Sequence, residues 1–163
     1  LLTVVVSVII ATGRFRLGGF LLVLTTAFDA LDGTLARQMG GSTKFGGFLD
    51  SVLDRISDSA ILLGVAWWFM GQPGRTPELL AYLAIVGSTL VSYTRARAEA
   101  MGVECKVGLF TRVERTGIII LALILGLVVP ALWVLAIGTW FTAIHRIWHV
   151  YSQTKRQPLP SQE

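Results

Sequence analysis

Polar residues are sparse along this chain, and their positions divide it into apolar stretches of helical length. Apolar residues dominate about 1–12, 17–38, 46–71, 77–101, 110–129 and 130–152. Between them lie short clusters rich in glycine, proline and charge, at 13–18, 40–44, 71–77 and 102–108, and the Val129-Pro130 junction. Glycine and proline are the strongest local breakers of a helical pattern, and a membrane-spanning helix needs about 20 apolar residues. The first run is shorter than that, so it is expected to be the end of a helix whose start is missing. It has neither a basic leader nor a small-residue cleavage site and does not read as a signal peptide. The pattern predicts an all-α integral membrane protein, with six transmembrane helices (the first truncated) around a polar cavity that faces the cytoplasm. One domain is expected over 1–152, followed by a polar, proline-containing cytoplasmic tail at 153–163.

Composition supports this reading. Hydrophobic residues make up 53% and charged residues 15% of the 163, with a mean hydropathy of +0.67; soluble domains carry about 25% charged residues. The fourteen Lys and Arg are segregated: Arg14, Arg16 and Arg75 fall on one side of the expected membrane and the other eleven on the opposite side. By the positive-inside rule the eleven-charge side is cytoplasmic, which places the chain in the cell membrane as a multi-pass protein. The net charge of +4 does not indicate nucleic acid, because the basic residues sit mostly at segment ends. The lone cysteine, Cys105, excludes an intrachain disulfide or a multi-thiolate metal site. The five tryptophans read as interfacial anchors or packing residues, and His145 and His149 as amphipathic residues near an interface.

The candidate chemistry is concentrated in 28–58, which holds every aspartate: Asp29, Asp32, Asp50, Asp54 and Asp58. A carboxylate at mid-bilayer depth costs about 2.5–3.5 kcal/mol, so the group implies a neutralising cation. Asp29 and Asp32 are spaced i,i+3, and Asp50 and Asp54 i,i+4, so each pair shares a helix face. Gly40, Gly41 and Ser42 break the pattern between them, which predicts two antiparallel neighbouring helices with four converging carboxylates. An all-oxygen set suits Mg²⁺, Mn²⁺ or Ca²⁺. Gly33 and Ala36 leave room for a ligand to approach the backbone, Gly46 does the same one turn before Asp50, and Arg37 offers a fork-shaped donor for phosphate. Asp29 lies eight residues deeper than Arg37, about 12 Å along a helix.

The run Asp29-x2-Asp32-Gly33-x2-Ala36-Arg37-x8-Gly46-x3-Asp50-x3-Asp54 resembles the signature of the CDP-alcohol phosphotransferases at all eight fixed positions. The resemblance implies two divalent cations, Mg²⁺ or Mn²⁺, held by Asp29, Asp32, Asp50 and Asp54. It implies a CDP-lipid contacted by Gly33, Ala36, Arg37 and Thr43, with Asp54 as proton acceptor. Members form homodimers through membrane helices, so a homodimer is expected by analogy.

A second constellation lies further on. The segment 92–99 carries Arg95, Arg97 and Glu99; 108–115 carries Arg112 and Arg115 at i,i+3; and Arg146 falls within a largely apolar stretch. On composition alone these are topology-setting charges with an Arg95–Glu99 helix pair, although an intramembrane arginine is a functional hypothesis by default. Together with 50–58 and Trp67-Trp68, the segments are similar to the family's inositol-phosphate branch. Proline and lysine usually follow the third and fourth aspartates in the glycerophosphate branch, where this chain has Ser51 and Arg55. The resemblance implies that Arg95, Arg112, Arg115 and Arg146 bind the acceptor's phosphate. Asp58, one turn beyond Asp54, is expected to pair with Arg55. The expected reaction is transfer of a phosphatidyl-type group from CDP-diacylglycerol to inositol phosphate, releasing CMP. The alternatives are the same chemistry with glycerol 3-phosphate and, in a different class, a divalent-cation transporter.

Overall fold

The computed structural model describes residues 2–38 and 43–155, excluding the side chains of 30–38. Six α-helices make up the fold: α1 Leu2–Ala11, α2 Phe15–Gln38, α3 Lys44–Met70, α4 Thr76–Ala100, α5 Arg112–Leu125 and α6 Val128–Thr154. There is no strand among the described residues.

Local chemistry sets most helix ends. Thr43 caps α3, its side chain accepting the Gly46 N–H at 3.0 Å. Pro77 sits in the first turn of α4, where no intrahelical N–H bond is lost. The break between α5 and α6 falls earlier than the expected Val129-Pro130 junction. Gly126 ends α5 in the left-handed conformation (φ 76°), and the Leu127 N–H closes on the Ala122 carbonyl at 2.9 Å. Pro130 then lies inside the first turn of α6, because its missing N–H would have had no helical partner there. Helix α6 also continues through Gln153 and Thr154, the first residues of the expected tail; the remainder from 156 lies outside the described residues.

Among the described residues, helix packing closes into a ring in the order α1, α3, α4, α6, α5, α2 and back to α1. Helix α1 therefore packs against both α2 and α3. The expected neighbouring of α2 and α3 involves the α2 side chains from residue 30 and the connection at 39–42, which lie outside the described residues.

One end of the ring is closed by a core to which all six helices contribute, including Ile10, Leu22, Val65, Ala81, Leu123 and Leu132. Small residues bring the backbones close: a methyl on Gly64 would meet the Ser7 carbonyl oxygen, and one on Gly87 would meet Thr139. Small residues serve close packing in the same way in membrane bundles. At the opposite end Cys105, fully buried, lies in the α4–α5 connection and packs with Val103 of that connection and Ala98 of α4. Large apolar residues such as Phe20, Leu63, Ile137, Phe141 and Trp148 face outward. Helices α4 and α6, of 25 and 27 residues, are long and apolar enough to cross a membrane.

Candidate active site

The end of the ring opposite the core holds a cavity of about 300 Å³, at the lower end of the range for small-molecule sites. Four elements supply its polar lining: the first half of α3 (Asp54, Asp58), the second half of α4 (Arg95, Glu99), the start of α5 (Arg112, Arg115) and the end of α6 (Arg146). All four arginines expected at the acceptor phosphate thus share one cavity with Asp54. Five arginines, Arg55 included, face three acids across the lining, leaving two net positive charges.

The arginines are held in different ways. The Arg112 Nη2 donates to Asp54 Oδ1 at 2.8 Å, and its Nε lies 3.7 Å from Asp58 Oδ1; its side chain is 46% exposed. Arg115 is buried, donating from Nη2 to Asp58 Oδ2 at 2.9 Å and from Nη1 to the Phe110 carbonyl at 3.0 Å. The i,i+3 spacing on α5 aims both guanidinium groups at the i,i+4 carboxylates of α3. Arg95 is exposed and bonded to Glu99 at 2.8 Å, so the helix pair and the cavity-lining position coexist.

Arg146 is the most deeply placed, at 2% exposure. Its Nε donates to the Val107 carbonyl at 2.8 Å and its Nη1 to the Val91 carbonyl at 2.5 Å. It ties the α4–α5 connection to α4 and α6, and Gly108 (φ 110°) brings that connection against Thr142. No acidic side chain pairs with Arg146 among the described residues. A buried guanidinium with no carboxylate partner is costly, so an anion entering the cavity would be stabilised beside it.

The expected Arg55–Asp58 pair is not formed. Arg55 turns back to the Ser51 carbonyl in its own helix, and Asp58 is taken by Arg115 and Arg112. The buried Arg115 has the greater need of a carboxylate, since an unpaired buried charge is costly. Asp58 was within reach of sequence reasoning, because it extends the Asp50–Asp54 row by one more turn.

Asp50 and Asp54 share a face of α3, Asp50 exposed and Asp54 partly buried, and Asp29 is exposed on α2. Asp50 is not part of the cavity lining. The side chains of Asp32, Ala36 and Arg37, and the surroundings of Gly33, lie outside the described residues. Among the described residues no three His, Cys, Asp or Glu side chains group closely enough to hold a metal ion. The donors present, carboxylates alone, match a hard divalent cation in kind. Thr43 is observed as the cap of α3, and a methyl on Gly46 would sit 3.1 Å from its hydroxyl.

Comparison with known proteins places this architecture. The family model for CDP-alcohol phosphatidyltransferase matches residues 1–148, and the chain belongs to that family of enzymes. It is 40% identical over 151 residues to the archaetidylinositol phosphate synthase of Methanothermobacter thermautotrophicus, covering 89% of this chain and 75% of that protein. It is 39% identical over 151 residues to the phosphatidylinositol phosphate synthase of Corynebacterium glutamicum, covering 88% and 69%. Among solved structures it is similar to the phosphatidylinositol phosphate synthase of Mycobacterium tuberculosis with CDP-DAG bound: TM-score 0.87, 30% identity, 93% of this chain and 81% of that one. The same enzyme in complex with manganese and citrate gives a TM-score of 0.88 at 28% identity, covering 99% and 84%.

Proposed function

We propose that this chain transfers the phosphatidyl group of CDP-diacylglycerol to a hydroxyl of inositol phosphate, giving phosphatidylinositol phosphate and CMP. The observation that carries the choice of acceptor is the gathering of Arg95, Arg112, Arg115 and Arg146 with Asp54 around one cavity. A phosphomonoester carries about −1.5 to −2 charges at pH 7, matching the net charge of the lining. Relatives with inositol-phosphate names in bacteria and archaea support the same reading.

In this reaction the acceptor oxygen attacks the lipid-side phosphorus in line. The bond from that phosphorus to CMP breaks, CMP leaves with the electron pair, and the hydroxyl proton passes to Asp54. The arginines grip the acceptor's phosphate and hold its hydroxyl in line, so they contribute through orientation. Asp29, Asp32, Asp50 and Asp54 would hold Mg²⁺ or Mn²⁺, two ions in our reading. Such ions would supply positive charge against the diphosphate and the departing CMP. Gly33, Ala36, Arg37 and Thr43 would receive the CDP-lipid.

We place all six helices in the bilayer, with the cavity opening to the cytoplasm and the enzyme in the cell membrane as a homodimer. The cavity lies at the end of the ring near the lysine- and arginine-rich segments, which supports this orientation. CMP release by the purified protein with CDP-diacylglycerol and Mg²⁺ tests the proposal, with inositol phosphate, glycerol 3-phosphate or free inositol as acceptor. Release only with inositol phosphate is expected. Release with glycerol 3-phosphate alone overturns the acceptor assignment.

A further inference from the structure

Asp58 lies outside the eight-position signature, yet it is the carboxylate on which the arginine cavity is built. It lies one turn beyond Asp54 on α3, with its side chain 15% exposed. One oxygen accepts from the buried Arg115 at 2.9 Å, and the other faces Arg112 Nε at 3.7 Å. Arg115 is anchored at its other fork nitrogen by the Phe110 carbonyl, so its guanidinium is fixed from two sides. Asp58 and Arg115 also line a second, smaller cavity of about 20 Å³ with Ile61, Ser88, Ile119 and Leu135. The pair thus forms the floor between the polar cavity and the apolar core.

Arg112 is placed differently. Its closer partner is Asp54, the residue assigned to the transferred proton. Whenever Asp54 is drawn into the reaction Arg112 needs another anion, and Asp58 is already beside it.

We infer that Asp58 is a positioning residue for the acceptor. It fixes Arg115 in the cavity floor and keeps Arg112 on the cavity wall when Asp54 is engaged, so both guanidinium groups meet the acceptor's phosphate. The inference rests on the function proposed above. It makes a counterintuitive demand on sign. On charge counting alone, removing Asp58 makes the cavity more positive and tightens phosphate binding; removing a positioning group weakens it.

The experiment compares Asp58→Asn with the unmodified enzyme. The acceptor KM should rise about tenfold or more while the CDP-lipid KM stays within about twofold. Thermal protection by inositol phosphate, measured without divalent metal, should be lost in this variant. An acceptor KM that falls or stays unchanged overturns the inference, as does a parallel rise in both KM values. If Asp58→Asn cannot be recovered from membranes, Asp58→Glu carries the test. It keeps the charge but moves the carboxylate by one methylene, so the acceptor KM should rise about three- to fivefold. No change there refutes positioning. Absence of CMP release from the unmodified enzyme with every acceptor would instead refute the proposed function.

Discussion

Arg112→Ala separates the two roles the structure gives to the cavity's arginines. Arg112 makes two ion pairs but is 46% exposed, with Asp54 at 28% and Asp58 at 15%. Pairs with this access to water contribute about 0–1 kcal/mol, a shift of about 2–4 °C at most in the unfolding midpoint of a chain this size. Its role toward the acceptor is larger. A hydrogen bond to a charged group is worth about 1.5–3 kcal/mol, so kcat/KM for inositol phosphate should fall roughly ten- to a hundredfold. The CDP-lipid KM should hold. Arg115→Ala provides the contrast, because it removes the buried partner of Asp58 and leaves that carboxylate only the longer contact with Arg112, which should cost more stability, about 1–3 kcal/mol. Detergent-solubilised variants are assayed for CMP release with each substrate varied in turn and for thermal unfolding in parallel. Arg112→Ala unfolding as early as Arg115→Ala would refute the reasoning. So would a loss in acceptor kcat/KM below about threefold.

Arg146→Lys keeps the charge but cannot span the Val107 and Val91 carbonyls as a fork. It should lose about 1–3 kcal/mol of stability and raise the acceptor KM more than Arg95→Lys does. An equal effect of the two in steady-state kinetics would count against it. Asp54→Asn should fold and bind CDP-lipid in a thermal-shift assay yet release no CMP; loss of lipid binding would make Asp54 chiefly a ligand. Gly64→Ala should lower the unfolding midpoint, because its methyl meets the rigid Ser7 backbone and overpacking costs about 1–3 kcal/mol. Unchanged stability would mean that α1 can shift away from α3.

The sequence by itself determined the helices and the chemistry within each of them. Apolar run length and breakers located all six helices to within a few residues, since both act through the local backbone. The spacings of Asp50, Asp54, Arg112 and Arg115 predicted which pairs share a face, because helical periodicity is a short-range property. The errors came where local signals were ambiguous: Pro130 looked like a boundary and proved to be a first-turn residue, with Gly126 ending the helix before it. The tertiary structure alone decided which faces meet. It packed α2 and α3 each against α1, matched Asp58 with a cation 57 residues away instead of one three residues away, and buried Arg146 against backbone carbonyls. Those outcomes depend on which charge loses its water when the ring closes, and desolvation is set by the assembled helices, not by the spacing along any one of them.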